Sequence, residues 1–105
     1  MAWIYLALAG LFEIGWPLGL KLAQAPGRGL LGMLGAATAM GLSGLFLYLA
    51  QRDIALGTAY AVWTGIGAAG TFAIGVIWFG DPATMGRFLG VAMILGGVVT
   101  LKLAQ

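Results

Sequence analysis

Four long apolar runs, at about residues 2–22, 30–50, 57–79 and 85–103, are separated by three short breaks, and that alternation governs what the chain can fold into. An α-helix rises about 1.5 Å per residue, so about 20 apolar residues cross about 30 Å of hydrocarbon. Each run is long enough. The breaks carry the residues that stop helices: Gln24-Ala25-Pro26-Gly27-Arg28, then Gln51-Arg52-Asp53, then Gly80-Asp81-Pro82. Such short links return each span alongside its neighbour. Of 105 residues, 62% are apolar and 8% charged, where a soluble domain carries roughly 25% charge. Four crossings use about 80 residues and leave no room for a soluble domain. The expected fold is an all-α integral membrane protein, with residues 1–105 forming a single four-helix transmembrane domain.

Several kinds of chemistry drop out. Cysteine and histidine are both absent, which removes disulfides, thiol catalysis, zinc fingers and imidazole acid–base work. The nineteen glycines show no Gly-X-Y period. The net charge of +2 comes from five scattered basic residues, not a basic patch, so no nucleic-acid surface is read. No phosphate-binding glycine loop suggests nucleotide use. The chain is expected not to be an enzyme and to need no cofactor or metal.

Trp3, Tyr5, Tyr48, Trp78 and Phe79 fall near span ends, where amphipathic rings favour the headgroup region. Ala23-Gln24-Ala25 resembles a signal-peptidase site, but no Lys or Arg precedes the first run, which is too long and carries an acid in its middle. It is read as a retained span. Lys21, Arg28 and Arg87 would lie on one membrane side and Arg52 and Lys102 on the other, three against two. So weak a bias predicts insertion in both orientations and antiparallel pairing of the two products.

Of the three acids, Asp53 and Asp81 fall in breaks, whereas Glu13 lies inside the first run. About ten residues in, it is about 15 Å deep, near the bilayer midplane. Such acids face a bundle interior or a wet cavity and mark ion or substrate pathways. The bland alternative is a protonated carboxyl holding helices together by hydrogen bonding. No Lys or Arg shares its depth, since Lys21 and Lys102 snorkel from helix ends. The missing partner is therefore read as a cation from outside, competing with a proton for one carboxylate.

Other side chains reach matching depths. Trp16 is three residues from Glu13 and shares its helix face. On the third run Tyr60, Trp63 and Gly67 form an i, i+3, i+7 stripe, and Ser43 returns to a similar level on the second. Aromatic faces attract cations, and a phenol or hydroxyl hydrogen-bonds a carboxylate or a ligand. Ordinary packing explains each aromatic taken singly; their alignment with Glu13 favours one chamber. Pro17 cannot donate to the carbonyl of Glu13, which either helps hydrate the site or reflects a kink needed for packing. Gly65, Gly67 and Gly70 serve as a helix bend or as tight-packing points. On the last run Gly86, Gly90, Met93 and Gly97 make a small-residue stripe with no chemistry-bearing group, which suits a dimer contact.

With these features in place, the sequence resembles the small multidrug resistance family from end to end. The resemblance is carried by Glu13, by the segment GTAYAVWTGIGA over residues 57–68, and by the Gly90-to-Gly97 heptad. It implies proton-coupled antiporters of the bacterial inner membrane, four helices per subunit, assembled as antiparallel dual-topology homodimers. The first three helices would form the site and the fourth the dimer contact. By position, Glu13 corresponds to the shared proton and substrate site, Tyr60 and Trp63 to aromatic walls, and Ser43 to a hydrogen-bonding neighbour. Trp16 and Thr58 resemble the guanidinium-exporting members, so a small cation such as guanidinium is the expected substrate. Export of quaternary ammonium or other lipophilic cations is the alternative. Two other classes, a proton-carrying ring subunit and a non-transporting assembly subunit, fit the four runs and the aromatic cluster less well.

Overall fold

The computed structural model describes residues 1–104, folded into four helices: α1 (Ala2–Ala23), α2 (Gly29–Ala50), α3 (Leu56–Trp78) and α4 (Met85–Ala104). All four are long and apolar enough to cross a membrane. A helix satisfies its own backbone hydrogen bonds, which lipid cannot do for it. At about 1.5 Å per residue, helices of 20 to 23 residues reach about 30–35 Å.

The links are tight turns. Gly27, with φ of 76°, closes the α1–α2 link and Gly80, with φ of 67°, ends α3. Left-handed backbone of this kind favours glycine. At Gly80 the amides of Phe79 and Asp81 both donate to the carbonyl of Gly75, at 3.1 and 3.0 Å. Together they satisfy one of the last carbonyls of α3, as a helix end requires. Thr84 then opens α4, its hydroxyl accepting from the Arg87 amide at 3.3 Å, as an N-cap does.

Glycines set how closely the helices approach. On α1, Gly19 faces α2 so closely that an added Cβ would lie 2.8 Å from the Ala36 amide nitrogen; one at Gly32 would lie 2.5 Å from that of Ala23. Membrane helices gain attraction from such close backbone approach, because no hydrophobic effect separates helix from lipid. Phe12 stacks on Phe46 at 5.8 Å, adding an aromatic contact between α1 and α2. Gly10 receives Ile66 of α3. A small core of Leu6, Ala50, Ile54, Ala59 and Val62 gathers at the end carrying the N-terminus.

The chain is a slab, 45 × 34 × 16 Å. Helix α1 packs along α2 and α3, while α4 packs against α3 and buries none of its residues. Basic side chains at span ends lie over aromatic rings: Lys102 over Trp3 at 4.8 Å, Lys21 over Phe79 at 5.9 Å and Arg52 over Tyr48 at 6.0 Å.

Candidate functional site

Glu13 sits midway along α1 with its carboxylate turned toward α3. The helical period brings Trp16 one turn on, and its indole Nε1 donates to Glu13 Oε1 at 2.7 Å. Opposite stands Gly67, where an added Cβ would lie 2.5 Å from Glu13 Cγ and 3.1 Å from its Cβ. The Glu13 stem that carries the carboxylate therefore occupies space that only a glycine on α3 leaves open. Its second oxygen, Oε2, is buried and has no hydrogen-bond partner among the described residues. A buried carboxylate oxygen left unpaired is expensive, and the great majority of buried polar atoms find a partner. One oxygen is held by the protein, and the other has no partner among the described residues.

A second cluster lies one turn earlier on α1. Ser43 of α2 is fully buried, and its hydroxyl donates to the carbonyl of Ala9 at 2.7 Å. The same hydroxyl accepts from Trp63 Nε1 of α3, also at 2.7 Å. The run indole, hydroxyl, carbonyl crosses all three helices and uses both functions of the Ser43 hydroxyl. Tyr60 meets the Trp63 ring edge-on, with centroids 5.4 Å apart, and is 56% exposed on the protomer.

The residues singled out by sequence thus fall into two linked sets and a separate surface. Glu13, Trp16 and Gly67 are in direct contact; Ser43, Trp63 and Tyr60 form their own network, bonded to the α1 backbone four residues before Glu13 rather than to its carboxylate. Gly65 packs against Val98 and Ile94 and so belongs to the α3–α4 contact. Helix α3 is unbroken through Gly65 and Gly67. Gly90 and Gly97 have nothing within 4 Å of an added Cβ, leaving that side of α4 open. Pro17 is accommodated without ending α1, though it removes the amide that would bond the Glu13 carbonyl.

Two contacts were not legible in the sequence. The Ala9 carbonyl is backbone, so no residue type announces it. Gly67 was legible as a small residue on the Tyr60–Trp63 stripe, but its contact with Glu13 follows from the rotation of α1 against α3.

The family model described as Small Multidrug Resistance protein matches residues 1–94. Full-length relatives include the Guanidinium exporter of Proteus vulgaris, 46% identical over 105 residues and 100% of both chains. That of Yersinia pseudotuberculosis is 44% identical over the same span and coverage. The Salmonella typhimurium Guanidinium exporter is 40% identical over 104 residues, covering 99% of this chain and 98% of its own.

Proposed function

Because the chain belongs to the small multidrug resistance family, we propose that this multi-pass protein of the bacterial inner membrane exports small cations, guanidinium foremost, in exchange for protons that compete for Glu13. The observation that carries this reading is the buried, unpartnered Oε2 beside an Oε1 already oriented by Trp16. Guanidinium is planar, charged and rich in N–H donors, and such groups pair with a carboxylate through two parallel hydrogen bonds. A quaternary ammonium has no N–H to offer that oxygen. Either a proton or a guanidinium satisfies it, and the two exclude each other. If the site faces one membrane side at a time and switches only when loaded, proton entry drives cation exit.

Trp16 has two roles in this reading: its N–H holds the carboxylate, and its ring narrows the space to suit a small cation. Trp63 and Tyr60 supply aromatic faces, with Ser43 fixing the Trp63 ring against α1. Gly65 and Gly67 are the positions where α3 flexes as the site changes sides.

The functional unit is an antiparallel homodimer. A slab 16 Å thick is scarcely wider than one helix with side chains, and α4 presents Gly90 and Gly97 without a neighbour. A second copy against this face would cover α4 and bring a second Glu13 to the assembly. The three-to-two split of basic residues fits insertion both ways.

The deciding measurement is uptake into sealed vesicles with an imposed pH gradient, comparing guanidinium with tetraphenylphosphonium. Guanidinium should move and the bulky cation should not; the reverse would reassign the protein to lipophilic cations. Glu13→Gln should abolish coupled exchange of either.

A further inference from the structure

A cleft of about 200 Å³ opens between α1 and the C-terminal half of α3, at the membrane end carrying Lys21 and Asp81. At about 30 Å³ per water it holds about six waters or one small organic cation. Its wall includes Ile14 and Pro17 of α1, Thr71 and Phe79. Thr71 is one helical turn beyond Gly67, the residue in contact with Glu13. The cleft therefore leads from one turn outside the carboxylate to the membrane face.

Three features of its lining bear on what it admits. Thr38, Thr64 and Thr100 return their hydroxyls to the carbonyl four residues earlier, as threonines in apolar helices commonly do. Among the described residues the Thr71 hydroxyl, like that of Thr58, makes no such bond, and of the two only Thr71 borders the cleft. Asp81 is folded back by the Gly80 turn until its carboxylate lies against Gly75 at the mouth. Lys21 lines the same mouth without an ion pair to Asp81, its ammonium turned over the Phe79 ring. Ile14, one residue from Glu13, lines the cleft with its side chain seated on Gly70.

We propose that this cleft is the aqueous port through which small cations pass between one membrane face and Glu13. Asp81 draws cations to the mouth, the free Thr71 hydroxyl replaces part of their hydration, and Ile14 on Gly70 is the plug that moves aside. Lys21 keeps the mouth near neutral, so a cation enters without being trapped, the balance any conducting path requires. The proposal rests on the reading of Glu13 as the cation site and adds the route to it.

The absence of cysteine allows single-cysteine variants of the full chain to be labelled in sealed vesicles. Thr71→Cys should react with a positively charged, membrane-impermeant thiol reagent and be protected by guanidinium. Leu45→Cys, exposed on α2 and outside the cleft lining, should be inert. At low ionic strength Asp81→Asn should slow guanidinium exchange by up to about tenfold and Lys21→Gln should speed it, both effects vanishing at high salt. Equilibrium guanidinium binding, read from tryptophan fluorescence, should be unchanged in both. An unreactive Thr71→Cys, or wild-type exchange by both charge variants while Glu13→Gln is inactive, overturns the port and leaves the Glu13 reading standing. Wild-type exchange by Glu13→Gln overturns both.

Discussion

Trp16 Nε1 lies 2.7 Å from Glu13 Oε1, one helical turn along α1, so the carboxylate is oriented by its own helix before anything else touches it. The indole both anchors the acid and fills the space beside it. Trp16→Gly should therefore broaden the substrate range toward larger cations. Competition of tetraphenylphosphonium against guanidinium in vesicles measures this; an unchanged preference would show that Trp16 does not set chamber size.

Gly67→Ala places a methyl group 2.5 Å from Glu13 Cγ, and something must shift. Overpacking a tight site typically destabilises by about 1–3 kcal/mol. We expect guanidinium binding to fall sharply while the helical circular-dichroism signal persists. Gly57→Ala, with nothing within 4 Å, is the matched control and should behave as wild type.

Removing the Ser43 hydroxyl strands the Trp63 indole N–H inside the bundle. Ser43→Ala should destabilise the protein by about 1–3 kcal/mol, the usual penalty for a buried unpaired donor. Because Trp63 and Ser43 share one bond, Ser43→Ala combined with Trp63→Phe should lose less than the sum of the two single changes. Strict additivity in thermal unfolding would argue against the network.

Gly97→Leu on α4 meets no neighbour within the protomer. It should leave the helical content intact and abolish both dimerisation and exchange. Cross-linking in membranes, with transport measured in parallel, separates this outcome from simple misfolding.

C-terminal fusions to two reporters, one active inside the cell and one outside, should both give signal if the chain inserts both ways. A single active reporter would exclude the antiparallel homodimer.

Much of the fold was open to inspection in the amino-acid order. Four helices occupy the four apolar runs because spanning length, Pro, Gly and charge act locally. Likewise an acid with no nearby base stands out wherever the remaining charges cluster at span ends. Helix rotation was harder to read. These helices are apolar nearly all round, so no polar stripe indicates which side faces a neighbour. Ser43 illustrates the difficulty: its depth matches the Glu13 region, yet its hydroxyl bonds the Ala9 carbonyl and not the carboxylate.

By itself the sequence determined that this protein has four membrane-crossing helices and one acid midway along the first of them, since both can be read from hydrophobic length and the placing of charge. The tertiary structure decided which carboxylate oxygen is held and which is free, that Gly67 makes the room, and where a cleft opens between α1 and α3. Those depend on backbone approach and helix rotation. Both are set by glycine contacts between elements distant in the chain, and hydropathy carries no record of them.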